Sequence, residues 1–164
     1  MIIDLEPIFN NEGLSRNFDF ELDLSDVEFN ACKPFTTPVR VEGTVENSTG
    51  IVELSATAVF SMSLFCDRCA TELVKQMCVP VNHTLVTHLN DDNNDELLLI
   101  NELRFDLDPL ITEDIFLAMP SKFLCDDDCK GVCFTCGKNL NEGPCSCQKP
   151  TDPRLEVLKQ LLDN

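Results

Sequence analysis

Residues 39–65 read Val-Arg-Val-Glu-Gly-Thr-Val-Glu-Asn-Ser-Thr-Gly-Ile-Val-Glu-Leu-Ser-Ala-Thr-Ala-Val-Phe-Ser-Met-Ser-Leu-Phe. Val39, Val41 and Val45 alternate with Arg40, Glu42, Thr44 and Glu46, the period-two pattern of a strand with one face in a core and one in water. The turn-forming cluster Asn47-Ser48-Thr49-Gly50 follows, so the chain doubles back as a hairpin. After it, Val52, Leu54, Ala56, Ala58, Phe60, Met62 and Leu64 share one face, opposed mostly by Glu53, Ser55, Thr57, Ser61 and Ser63. A strand this long bends or curls, as in a partly closed barrel.

Working outward, Phe18-Asp19-Phe20-Glu21-Leu22-Asp23-Leu24 repeats the alternation and adds a strand. On the other side, Met77 to Leu89 places Met77, Val79, Val81, Leu85 and Leu89 on a common face. The stretch Asn90 to Glu96 is polar, and Asp91, Asn93, Asp95 and Glu102 fall at calcium-loop spacing. Glu96 stands where such a loop turns on glycine, and the flanks read as strands, so it is a solvated loop. A short apolar segment, Leu97 to Leu107, leads to Asp108-Pro109, the signature of an N-cap followed by proline at the first helical position. Leu110, Ile111, Ile115, Ala118 and Met119 then form a helical face that ends before Pro120. Asp152-Pro153 opens a second amphipathic helix, apolar at Leu155, Leu158, Leu161 and Leu162. No internal repeat or low-complexity tract is evident. The expected fold is α+β: an antiparallel, β-rich domain over residues 1–124, with a partly barrel-like sheet and a short helix. A cysteine-rich zinc element with a terminal helix follows over residues 125–164.

The charge balance limits the partners. With 29 acidic against 12 basic residues, the formal net charge is -17, and such a surface repels phosphates and anionic lipid headgroups. Acidity also keeps a protein soluble, and that is the plainer explanation of it. The N-terminus, Met1-Ile2-Ile3-Asp4-Leu5-Glu6, lacks the basic and apolar regions of a secretory signal, and no apolar run approaches the roughly 20 residues that span a bilayer. A cytoplasmic location with no membrane partner is expected. In a reducing cytosol, the ten cysteines read as metal ligands or redox groups instead of disulfides.

The cysteines fall into two clusters. Cys66-Asp67-Arg68-Cys69 lies where the long strand ends and the next begins, so its thiols converge at a hairpin tip as half a tetrahedral site. The second cluster holds six cysteines: Cys125, Cys129, Cys133, Cys136, Cys145 and Cys147. Its middle, Cys133-Phe134-Thr135-Cys136-Gly137-Lys138, has the form of a zinc knuckle, in which glycine permits the tight turn that aims backbone amides at the sulfurs. Cys145 and Cys147 return after a turn-rich loop and complete a local four-thiolate site. Structural zinc takes four ligands, which leaves Cys125 and Cys129 to complete the hairpin pair Cys66 and Cys69, tying the tail to the sheet. Two zinc ions are expected. Cys32 and Cys78 remain and read as small buried hydrophobes.

Other chemistries fit less well. Cys129-x3-Cys133-x2-Cys136 matches the iron–sulfur triplet of radical SAM enzymes, yet only 28 residues follow Cys136, too few for a barrel. A simpler iron–sulfur cluster remains an alternative cofactor, since thiolates suit both metals. A Cys66–Cys69 redox dithiol works at a helix N-terminus, whereas strands flank this pair. His83 and His88, the two histidines, fall within a strand, where surface or core roles are commoner than catalysis. Saturated all-cysteine sites leave no position for an activated water. Neither a phosphate-binding glycine loop nor a nucleophile elbow is present. Arg68, Lys130 and Lys138 stand beside the thiolates and are expected to neutralise them locally.

The Phe65-Cys66-Asp67-Arg68-Cys69 turn, the stretch Cys125-x3-Cys129-Lys130-Gly131-Val132-Cys133-x2-Cys136-Gly137-x-Asn139-Leu140, and the ending Asp152-Pro153-Arg154-Leu155 resemble the YceD family. Val132-Cys133-Phe134 departs from the Leu-Cys-Pro more usual there and leaves the thiols in place. The resemblance implies a bacterial, metal-binding protein linked to accumulation of the large-subunit (23S) rRNA, commonly encoded beside large-subunit ribosomal protein thirty-two. Together with the acidity, it leads to the expectation of a non-catalytic accessory factor for large-subunit assembly. Such a factor would bind a basic ribosomal protein, that gene neighbour first, or a pre-ribosomal particle, with rRNA association indirect. The rival expectations are a direct rRNA-binding module, which should show a basic, aromatic-lined patch, and a thiol redox enzyme, which should show an exposed, low-pKa cysteine.

Overall fold

The computed structural model describes residues 1–29, 32–88 and 97–147. The expected terminal helix, the polar loop at 90–96 and the expected strand position Leu89 lie outside the described residues. In chain order the elements are β1 (Ile2–Asp4), α1 (Glu6–Asn10), β2 (Ser15–Leu22), β3 (Val39–Ser48), β4 (Ile51–Phe65), β5 (Glu72–Val86), β6 (Leu97–Leu99), β7 (Arg104–Asp106) and α2 (Leu107–Leu117). The chain resolves into two compact units: Met1–Leu64 with Leu73–Ser121, and Phe65–Glu72 with Lys122–Asn164.

The first unit is built on a curled, half-barrel sheet in the order β2-β3-β4-β5-β6. The β2–β3 and β3–β4 pairs are antiparallel, while β6 joins β5 in parallel. The β3–β4 hairpin closes on a two-residue turn, Thr49 and Gly50, at φ 54° and 87°. Two consecutive positive φ values match a type I′ turn, whose twist agrees with that of the flanking strands. The inward face of β4 carries Val52, Leu54, Ala56, Ala58, Phe60, Met62 and Leu64, all buried, as the alternation predicts. β3 contributes Val39, Val41 and Val45, and β5 contributes Val79, Val81 and Leu85. Gly43 sits at the tight part of the curl: a Cβ there would lie 2.6 Å from Ala56 Cβ and Phe18 Cζ and 2.7 Å from the Ser55 carbonyl. No residue but glycine fits between the three strands without displacing them.

β1 and β7 form a separate antiparallel pair, and α2 buries Leu107, Leu110, Ile111 and Ile115. The helix starts two residues before the expected Asp108 cap. Asp106 is the N-cap, and its carboxylate accepts from the Asp108 amide at 3.3 Å; an acidic residue at either position suits the positive end of the helix dipole, so the sequence signal was ambiguous. α1, a single five-residue helix, carries no periodic signal and was not expected. His83, on β5, places Nε2 2.7 Å from Asp114 Oδ2 on α2 and acts within the fold. Cys32 and Cys78 are not buried as expected. Cys32 is half-buried, with Sγ donating to the Phe29 carbonyl at 3.0 Å, and Cys78 is exposed. The period-two alternation that points Val79 inward turns its neighbour Cys78 outward. Among the described residues no helix is long and apolar enough to cross a membrane.

Candidate metal centres

Among the described residues of the second unit, the buried apolar-type side chains are Cys66, Cys69, Phe123 and Cys129, three of them thiols. Hydrophobic burial among these residues is slight.

Two turns organise the thiols, and they share one backbone design. Between β4 and β5, the Cys66 amide donates to the Thr71 carbonyl at 2.9 Å, and the Ala70 amide donates back to the Cys66 carbonyl at 2.9 Å. At the tail, the Cys133 amide donates to Lys138 at 2.8 Å, and the Gly137 amide donates back to Cys133 at 2.8 Å. The residue after the second cysteine is left-handed in both turns: Ala70 at φ 56° and Gly137 at φ 71°. The first thiol of each turn receives the amides two and three residues ahead, Arg68 and Cys69 for Cys66, Thr135 and Cys136 for Cys133. The sequence shows a knuckle only at Cys133, because alanine hides the left-handed position in the hairpin tip.

The eight expected ligands gather as two groups of four, Cys66, Cys69, Cys125 and Cys129, and Cys133, Cys136, Cys145 and Cys147, with the sulfurs of each group all within 4.8 Å of one another. In the first, Cys66 Sγ lies 3.7 Å from Cys129 Sγ and Cys69 Sγ lies 3.5 Å from Cys125 Sγ. Four sulfurs around one ion with metal–sulfur bonds near 2.3 Å stand about 3.8 Å apart, so the donor set fits a tetrahedral ion. A disulfide would need about 2 Å, and all ten cysteines are free. The first site is mostly buried, with only Cys125 exposed; the second is half-buried, with Cys136 exposed.

Cys125 and Cys129 reach the hairpin tip through a polar clasp. Asp67 donates its amide to the Phe123 carbonyl at 2.9 Å and accepts the Phe123 amide on Oδ2 at 2.6 Å. The Arg68 guanidinium donates to the carbonyls of Asp127 at 3.3 Å and Cys129 at 2.9 Å, so it positions the ligand loop as well as offsetting charge. Lys138 Nζ donates to the Pro144 carbonyl at 3.1 Å across the second site's return loop.

Charge is divided unequally among the thiols. At Cys66, burial is the largest single influence and opposes ionisation, but the amides of Cys125, Cys69 and Arg68 together bring its pKa down to about 6. Cys133 is likewise lowered to about 6, by the amides of Cys136 and Thr135. Cys125 is pushed up to about 12, first by its contact with Cys69 and then by Cys129 and burial. Cys147 is pushed up to about 12 by Cys136. Each cluster thus gives up a first proton readily and holds another tightly, which is the electrostatic demand a cation satisfies.

Three polar residues that the sequence reading passed over surround the sulfurs. Thr71 Oγ1 lies 3.2 Å from Cys69 Sγ, and this contact is the first cause of that thiol's lowered pKa. Asn139 Nδ2 donates to Thr71 Oγ1 at 3.4 Å, and Asn141 Nδ2 donates to Cys129 Sγ at 3.2 Å. Asparagines in a turn-rich loop look like ordinary turn formers, so only the fold shows where they point.

The family model described as "Large ribosomal RNA subunit accumulation protein YceD" matches residues 54–162. A Bacillus subtilis (strain 168) protein, "Uncharacterized protein YlbN", is 26% identical over 154 residues, covering 90% of this chain and 88% of that protein. No solved structure matches.

Proposed function

The chain belongs to the YceD family, and from that premise we propose that it is a non-catalytic accessory factor for large-subunit rRNA accumulation, built around two zinc ions, that binds a basic ribosomal protein. The observation that carries the reading is how charge is distributed between the units. The first unit holds 20 of the 29 acidic and 5 of the 12 basic residues, a net of -15; the second holds the other 9 and 7, a net of -2. The acidity therefore belongs to the β-rich unit and is not an incidental accompaniment of the thiolates. A surface so charged attracts and steers cationic chains, and ribosomal proteins are such chains. The family's gene neighbour, large-subunit ribosomal protein thirty-two, is the leading candidate partner.

Zinc is favoured because four thiolates in a compact tetrahedral set are its usual structural environment, whereas a multi-iron cluster spreads its cysteines over several metal atoms. The same saturation supports a non-enzymatic role, since it leaves no open coordination position. Elemental analysis of the purified chain is the test of the metal: about two zinc ions per chain are expected, and iron with visible absorbance overturns the assignment.

A low-salt pull-down from cell extract, treated with ribonuclease and read by mass spectrometry, tests the partner. Capture should survive ribonuclease and weaken with ionic strength, because exposed charge pairs are screened beyond roughly 10 Å at 0.1 M salt. Capture that vanishes with the RNA, together with direct binding of rRNA by the purified protein, overturns this reading.

One observation favours direct RNA contact instead. Phe134, at the outer turn of the second knuckle, is fully exposed and borders a groove of about 820 Å³ lined also by Val132, Leu140, Pro144, Arg68 and Lys130. Exposed aromatic faces beside cations stack nucleobases. Phe134→Ala separates the two readings: it should leave capture of a basic protein intact and abolish any binding of single-stranded RNA.

A further inference from the structure

The loop that closes the second metal site also carries the outer contacts of the first. Between Cys136 and Cys145, the chain bridges back on itself through the Val132–Asn139 pair, and the Leu140 amide donates to the Gly131 carbonyl at 2.9 Å. This places Asn141 against the first site. Its Nδ2 donates to Cys129 Sγ at 3.2 Å, and its Oδ1 accepts the Lys130 amide at 2.7 Å, so one side chain holds both the sulfur and the backbone just after it. The Asn141 amide in turn donates to Asn139 Oδ1 at 3.0 Å. Asn139 reaches the other ligand pair, donating to Thr71 Oγ1, which lies against Cys69 Sγ. Asn141 therefore touches one half of the first site directly, and Asn139 reaches the other half through Thr71.

We propose that the two sites load cooperatively, with Asn141 as the residue that couples them. The inference rests on reading the clusters as metal sites. An ion bound by Cys133, Cys136, Cys145 and Cys147 fixes both ends of the 137–144 loop and so sets the position of Asn139 and Asn141. Without that ion, the loop must be ordered at the expense of first-site binding; with it, the ordering has already been done. The amide hydrogen bond to Cys129 then stabilises the thiolate form that the first ion requires. Because linkage is reciprocal, filling the first site strengthens the second by the same factor.

The test is a zinc competition titration on the full chain with a chelator of graded affinity. Cadmium-113 NMR of the loaded protein serves as a second readout, because a hydrogen bond to a coordinating sulfur alters the shift of its metal. Loss of an outer contact typically weakens a metal site by about 10–100-fold. Asn141→Ala keeps all eight thiols, so it should weaken the first site about tenfold, shift that site's cadmium resonance alone and reduce the coupling. Cys133→Ser, which breaks the second site, should weaken the first by at least as much although its four cysteines are intact. An Asn141→Ala protein that binds both ions within twofold of wild type, with both resonances unmoved, overturns the coupling while leaving the metal sites standing. A wild-type chain that binds no metal overturns the metal reading itself.

Discussion

Stripping the metal should unfold the second unit and leave the first intact. The first unit buries aliphatic and aromatic side chains from the sheet, α1 and α2, whereas among the described residues of the second Phe123 is the one buried residue besides the thiols and Gly131. Burying one phenylalanine contributes about 1.5–3 kcal/mol. Ordering a residue's backbone costs about 1–2 kcal/mol, so Phe123 offsets little more than the fixing of itself and a neighbour. A structural four-thiolate zinc site contributes about 10–16 kcal/mol, several times the apolar contribution, and the chain has two groups of four cysteines that could each hold one ion. Removing the metal also frees eight thiols that repel one another once ionised. The assay is limited proteolysis of the full chain with and without a strong chelator, with fragments mapped by mass spectrometry and amide NMR dispersion followed in parallel. Chelated protein should be cut at residues 65–72 and 122–147, while peptides from 1–64 and 73–121 stay protected. If metal-free protein keeps the same cleavage map and the same dispersed resonances for 122–147, the unit is held by something other than the ions and the argument fails.

Acidification should release the metal. Cys66 and Cys133, lowered to about 6, stabilise the folded state fully above their unfolded pKa, near 8.5, and lose that contribution as pH falls through about 6. Cys125 and Cys147, raised to about 12, stabilise the metal-free fold below that unfolded value and so must lose protons when the ion enters. Zinc affinity measured from pH 7.5 to 5.5 should fall steeply, with proton release on binding at pH 7; a flat profile contradicts the assignment. Gly137→Ala places a side chain at φ 71° and should cost about 1–2 kcal/mol of second-site stability. Ala70→Gly, at φ 56°, should be neutral or stabilising, and chelator midpoints for the two variants that move in the same direction would refute the shared knuckle design. Gly43→Ala must push apart contacts of 2.6 Å and should lower first-unit stability by about 1–3 kcal/mol, read by denaturant unfolding; an unchanged midpoint would show that the curl tolerates a methyl group.

The β3–β4 hairpin was legible because one face is buried and the other wet, so most residues from Val39 to Leu64 report their own side; buried Asn47 and exposed Ile51 and Val59 depart from the pattern. The two cysteine groups were legible for a different reason: a tetrahedral metal site takes four donors, which turns a count of eight clustered cysteines into two sets. Where the sequence said less, the deciding contacts join residues far apart in the chain. Nothing local marks Thr71 as a neighbour of Asn139 or Asn141 as a donor to Cys129: the first pairing joins the tail to the hairpin tip, and the second closes only when the tail folds back on itself. The early helix start has a related cause: two aspartates two residues apart both suit a helix N-terminus, and tertiary packing of Leu107 settles the choice. Leu107 is fully buried, so its inclusion in the first turn outweighs the proline signal at Pro109.

The division of charge between the units bears on the chemistry of the thiolates. Four thiolates around a divalent ion leave a net negative site, so each further carboxylate nearby makes ionising the next cysteine harder and weakens the metal. The second unit limits that cost by sending Arg68 onto the carbonyl of a ligand residue and Lys138 across the return loop. It also turns backbone amides towards the first thiol of each knuckle. The sheet is under no such constraint. Its alternation puts every second residue in water, and the outward positions of β2, including Asp19 and Glu21, accept acid without disturbing the buried face. The acidic residues of the sheet and the clustered cysteines fall in separate stretches of sequence, so the proposed partner can be tested by mutating the first and the proposed zinc by mutating the second.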